Sequence, residues 1–196
     1  MSRRIEFENH IKRLVNIFFL CKESYLVELY SIKENSEYLI DLKYNGSFFM
    51  LTKVNYWRII VLQLSKLYID NDKEYFNIKK FLNNRKTGER FSLLDIDQIF
   101  INEQLKKISK KQHLIDNIRI QRNKVFAHDD PRNGDIVNDV TLDQTKDLIE
   151  LCQDLIFKIY QEVYDTHYDF EMGNSPKENL MYILKSLDEA NNNRTV

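Results

Sequence analysis

Residues 96–131 read IDQIFINEQLKKISKKQHLIDNIRIQRNKVFAHDDP. The stretch holds no glycine, and its one proline stands at the end. It predicts a long helix that begins between Ile96 and Asn102 and ends near His128. Asp129, Asp130 and Pro131 stop it there, because a residue before proline is pushed out of the helical region.

The rest of the chain is punctuated in the same way. The 196 residues contain four glycines and two prolines. Gly46, Gly88, Gly134, Gly173, Pro131 and Pro176 all fall between stretches of helical pattern, where such residues belong. A first helix is expected from about Ile5 to Glu34. A second is expected from about Ser47 to Ile69, on the steps of three and four between Phe49, Val54, Trp57, Ile60, Val61, Leu64 and Leu67. A short third covers Glu74 to Asn83, and 84–95 reads as a loop. Thr141 and Gln144 form a capping-box pattern that opens a helix to about His167. Ser175 and Pro176 open a last helix over Lys177 to Glu189. The expected fold class is all-α: a single helical bundle of about five to six helices over residues 1–190, with 191–196 as a frayed tail.

Composition narrows the functions. Hydrophobic residues make up 43% of the chain and the formal net charge is −1, so the whole chain is not a polyanion binder. The charge is segregated instead. Residues 104–128 carry seven Lys or Arg against one acid, while 129–171 carry twelve acids against three bases. Two readings follow: the basic and acidic helices pair within the fold, or the basic helix faces a polyanion. Cys21 and Cys152 lack metal-ligand or disulfide-framework spacing, so reduced thiols and a cytoplasmic location are expected. No metal and no cofactor is expected. The N-terminal Leu14–Cys21 run reads as helix rather than a cleaved leader, since Glu6, Glu8 and Asn16 interrupt the required pattern. No segment approaches the ~20 apolar residues of a membrane span.

The end of the long helix carries the chemistry. Arg122, Asn123, then Lys-Val-Phe-Ala, then His128 resembles the signature of the HEPN superfamily: an arginine, a polar residue, and a histidine four to six residues beyond. The longer string Arg-Asn-Lys-Val-Phe-Ala-His-Asp-Asp looks most like the AbiU-type abortive-infection branch. In the second helix, Phe-Phe-Met-Leu-Thr-Lys-Val-Asn-Tyr-Trp with Leu-Ser-Lys-Leu-Tyr-Ile-Asp is similar to the helix that packs on the motif. The resemblance runs from about Ser47 to Tyr164. It implies a helical bundle, a homodimer whose two motifs share an active-site cleft, and metal-independent RNA cleavage with Arg122, Asn123 and His128 as the catalytic site. It also implies a place in phage defence or toxin–antitoxin pairs, with an antitoxin or other regulatory protein as a partner. Some HEPN proteins are controlled by modification of a tyrosine two residues after the histidine. That position is Asp130 here, so this mode of control is not expected.

The chemistry is sound on its own terms. RNA supplies its own nucleophile, the ribose 2′-hydroxyl. Cleavage needs a proton taken from that oxygen, a proton given to the leaving 5′-oxygen, and charge stabilised on the phosphorane. His128, with an ordinary pKa of about 6.5, suits the proton transfers. Arg122 suits two parallel hydrogen bonds to phosphate oxygens. Asn123 can donate to phosphate or orient the imidazole. Lys110, Lys111, Arg119 and Lys124 are candidates for RNA-backbone binding. The helix C-terminus, Asp129 and Asp130 are expected to favour the imidazolium form of His128.

Geometry sets one condition. In an ideal helix Arg122 and His128 stand about 120° apart around the axis and about 9 Å along it. His128 shares a line with Leu114, Ile118 and Val125, and Arg122 with Ile115, Arg119 and Phe126. A two-fold cleft resolves this, and so does a distortion of the helix near Ala127. The plainer alternatives are a His128 that caps the helix end and an Arg122 that pairs with an acid such as Asp116. His10, His113 and His167 lack partners at ligand or triad spacing and read as structural or exposed. Tyr160, Tyr164 and Tyr168 form a stripe better suited to a core or seam than to stacked bases. The alternative function is a non-catalytic HEPN module that binds RNA or a partner protein. A third is a helical interaction protein whose acidic helix docks a basic partner.

Overall fold

The computed structural model describes residues 3–31, 37–70, 76–85, 96–126, 140–171 and 173–193. Among these every regular element is helical: α1 (Arg3–Ser31), α2 (Glu37–Asn45), α3 (Ser47–Tyr68), α4 (Ile78–Asn84), α5 (Gln98–Lys110), α6 (Gln112–Ile120), a π-helical turn (Gln121–Phe126), α7 (Leu142–Val163) and α8 (Pro176–Asn192). The all-α expectation holds, with more helices than the five or six expected.

α1 and α3 form the centre. Phe7, Ile11, Leu14, Phe18, Cys21 and Tyr25 recur at steps of four and three along α1, and all are buried. That spacing keeps one face turned inward for the whole helix. α3 meets it with Ile60, Val61, Leu64 and Leu67, none of them exposed. α7 adds Leu148, Cys152, Leu155 and Ile159 at the same steps. Each buried aliphatic side chain removes apolar surface from water for about 1.5–3 kcal/mol. The Tyr68 hydroxyl donates to the Leu148 carbonyl and ties α3 to α7.

The ends are capped as the sequence reading expects for α7 and α8. Thr141 and Gln144 form a complete capping box, as do Ser175 and Glu178 around Pro176. α7 stops at Val163, short of His167. Buried Asn77 does double duty. Its side-chain oxygen accepts from Lys79 N (2.8 Å) and its amide donates to the Ile69 carbonyl (2.9 Å), joining the end of α3 to the start of α4.

Two expectations are corrected. α2 was not anticipated; it is a short helix folded back on α3, with Leu39 and Lys43 buried four residues apart. The turn between the two is Gly46, whose N–H donates to the Leu42 carbonyl (2.9 Å), and a Cβ at this position would stand 2.4 Å from that oxygen. The long motif helix is also not one helix. It breaks at Lys111, which has φ −97° and ψ 12° and serves as both the end of α5 and the start of α6. No residue between Ile108 and Ile115 is buried, so nothing in the core holds the helix straight there.

Candidate functional site

The motif segment is seated from below by α6. Ile115 and Ile118 are buried, and α6 and the π-helical turn both pack on α3. At Gln121 the backbone changes from α to π, and the hydrogen-bond step widens from i→i+4 to i→i+5. In an uninterrupted helix Arg122 would lie on the line of buried Ile115. Here Gln121 is the buried residue (3% exposed), Arg122 is half-buried and Asn123 is exposed. The distortion runs from Gln121 to Phe126, the residue before Ala127; Ala127 itself lies outside the described residues. Turns of this kind often mark functional positions in helices.

Arg122 and Asn123 are brought together. Arg122 Nε donates to Asn123 Oδ1 over 2.9 Å. The bond uses Nε of the guanidinium, and it fixes which end of the Asn123 amide carries its donors. The suggested Arg122–Asp116 pair is not formed. Asp116 instead accepts from Arg119 (2.9 Å) and from Gln112 (3.2 Å), and Gln112 in turn accepts from Lys79 of α4 (2.7 Å). His128 lies outside the described residues, as do Asp129 and Asp130. Lys124 lies in the π-helical turn, with its side chain outside what the structure describes.

The basic residues divide. Arg119 is one turn before Arg122 and is paired with Asp116. Lys110 ends α5 and Lys111 is the break before α6, so both stand the whole length of α6 away from Arg122. Lys107, Lys110 and Lys111 line one side of a groove whose other side is Asp147, Glu150 and Asp154 of α7. Lys111 is bonded to Asp147 across it. On this face the basic and acidic helices pair within the fold, the first of the two readings above.

The remaining candidates are structural. His10 is buried against Phe76 and Phe81 (ring centroids 5.3 Å from each), and burial lowers its pKa to about 4. His113 is exposed, and exposed His167 stacks on Phe157. Tyr160 and Tyr168 (4.3 Å) pack with Tyr164, Phe19 and Phe170 against the core, so the tyrosine stripe is a core edge. Both cysteines are fully buried and their thiol pKa values are pushed up by burial, which suppresses the thiolate. Among the described residues no group of three or more His, Cys, Asp or Glu is arranged to hold a metal, and no helix is long and apolar enough to cross a membrane. Gln121 was missed by sequence reasoning. Its only signal was a polar residue three beyond Ile118 on an otherwise apolar face.

An all-helical bundle that presents an arginine–asparagine pair on a π-helical turn is consistent with the HEPN class of proteins. Comparison with family models identifies the branch: the chain belongs to the HEPN AbiU2 family, whose model matches residues 4–181. No curated protein and no solved structure matches it.

Proposed function

We propose that this chain is a metal-independent HEPN endoribonuclease that cleaves RNA through its own 2′-hydroxyl and serves as a toxin-like effector in abortive infection. The observation that carries the reading is the Arg122–Asn123 pair on the π-helical turn. Arg122 is the clamp for the phosphate and its developing charge, Asn123 the orienting group, and His128 the general acid and base. Family membership supports a ribonuclease-like or abortive-infection role.

The reading includes a homodimer with a shared cleft. Phe48, Leu51, Val54 and Leu62 are exposed apolar side chains on one side of α3, the helix on which the π-helical turn packs. A second copy on this stripe covers it and brings the two motifs to a shared cleft. A regulatory protein such as an antitoxin then acts on the assembled pair.

The test is cleavage of mixed structured and single-stranded RNAs in EDTA. Wild type should leave 2′,3′-cyclic phosphate ends. Arg122→Ala and His128→Ala should each lose about 10²–10⁴-fold in rate with the fold intact. Mixing the two inactive variants should restore part of the activity where the cleft is shared. Retained cleavage in His128→Ala would sink the assignment.

One observation favours a non-catalytic module instead. Arg119 and Lys111, two of the expected backbone contacts, are held by Asp116 and Asp147. In that reading the module binds a partner protein, and it predicts no cleavage products and no RNA binding even at low salt.

A further inference from the structure

α8 is held to the bundle by a narrow stripe. Leu184 is its one fully buried side chain, flanked by half-buried Leu180 and Leu187 at steps of four and three. Beneath it, α1 presents two carboxyls where an apolar surface would serve better. Glu23 and Glu28 are 6% and 5% exposed, and Oε2 of each lacks a hydrogen-bond partner among the described residues. Glu28 lines a cavity of about 20 Å³ together with Lys43, Phe49, Lys53, Tyr56 and, from α8, Leu180. That volume holds about one water molecule, too little to hydrate a carboxylate. The capping box at Ser175 and Glu178 is local to α8, so the helix can move as a unit.

We propose that α8 is a proton-sensitive latch, seated on the junction of α1, α2 and α3 while the Glu28 carboxyl keeps its proton and lifted when that proton passes to solvent. The proposal is independent of the nuclease reading. Burial raises the Glu28 pKa to about 7, with Lys53 opposing the shift in part. Among the described residues the titratable groups around the carboxyl are Lys43 and Tyr44 on α2 and Lys53 and Tyr56 on α3. The Lys53 ammonium stands 5.7 Å over the Tyr44 ring, and that of Lys43 stands 5.9 Å over the ring of Tyr30 on α1. From α8 only Leu180 faces the cavity. Of the charges on α8, Lys177 favours and Glu178 opposes ionisation of Glu23. Glu23 thus gains a cation from α8 when it ionises, whereas Glu28 draws only on the α3 side, where Lys53 offsets its burial in part, and an ionised Glu28 favours water entering under Leu180.

The sign follows from linkage. A carboxyl with a raised pKa binds its proton more tightly when folded, so its contribution is full below about pH 4.5 and is lost as pH rises to about 7. His10, at the other end of α1, runs the opposite way: stability is lost as pH falls from 6.5 toward 4. Global stability mixes the two, so the latch is read locally. The experiment is amide hydrogen exchange of the full chain from pH 5.5 to 8.5, corrected for the intrinsic rate. The expected result is at least a tenfold rise in opening of α8 relative to α7 in wild type, and a flat profile in Glu28→Gln. An equal rise in Glu28→Gln, or no rise in wild type, overturns the proposal. Where Glu28→Gln fails to fold, the carboxyl carbon of Glu28 is titrated by NMR in wild type. A midpoint near 7 supports the latch and one near 4.5 overturns it.

Discussion

α3 and the motif arm of α5, α6 and the π-helical turn are built on different terms. The inner face of α3 is aliphatic through Ile60, Val61, Leu64 and Leu67, and the helix runs unbroken from Ser47 to Tyr68. The inner face of the arm alternates isoleucines with amides: Ile101, Gln104 and Ile108, then Ile115, Ile118 and Gln121. Both glutamines are buried, and neither Oε1 has a hydrogen-bond partner among the described residues. The arm breaks at Lys111 and widens at Gln121. The second half of α3 serves the core, with Gln63 and Ser65 buried beside its aliphatic residues. The arm gives up apolar burial at two positions and places Arg122 and Asn123 at a changed register.

The largest stability effect is expected on the α3 side. Leu64→Ala removes a side chain with no exposure from the centre of the core, and should cost about 2–5 kcal/mol in a denaturant melt. Cleavage per folded molecule should be unchanged. A loss below about 1 kcal/mol would mean that α3 is no better packed than the arm, and the contrast would fail.

Gln121→Leu tests the arm with the opposite sign. Replacing a buried amide that has an unsatisfied oxygen with an apolar residue of similar size should raise stability by about 1–3 kcal/mol. If Gln121 holds the π-register, the same variant should lose RNA cleavage while still binding RNA. A rise in stability with full activity would make the glutamine a tolerated defect rather than a positioning residue.

How far these features were legible in the sequence follows from their physical origin. α1, α3, α7 and α8 announced themselves, because a single apolar period or a cap such as Thr141–Gln144 is written in consecutive residues. α2 was hidden, since nine residues with two buried positions barely exceed what chance spacing yields, and its boundary rests on how closely Gly46 approaches the Leu42 carbonyl. The break at Lys111 was hidden for a different reason. Ile108 and Ile115 are seven apart and keep the helical period across it. Arg122 and Asn123 were found through their string, but their mutual hydrogen bond and the buried Gln121 beneath them depend on a π-turn that no local pattern encodes. The Glu28 cavity was invisible, being made by four helices that meet only after folding.

The smallest expected effect concerns Arg119, at the arm's exposed edge. Its pair with Asp116 is an i,i+3 bridge with both side chains well exposed (52% and 38%), so solvent screening leaves it worth less than about 0.5 kcal/mol. Asp116→Asn should therefore leave the melting curve almost unmoved. It should act on binding instead, because it frees the guanidinium one turn from Arg122. RNA affinity should rise modestly at low salt, and the dependence of log affinity on log salt should steepen by about one unit, the signature of one further phosphate contact. An unchanged salt slope would place Arg119 outside the RNA path. The track would then begin at Arg122 itself, and the charge on α6 would serve its pairing with Asp116, Gln112 and Lys79 rather than a ligand.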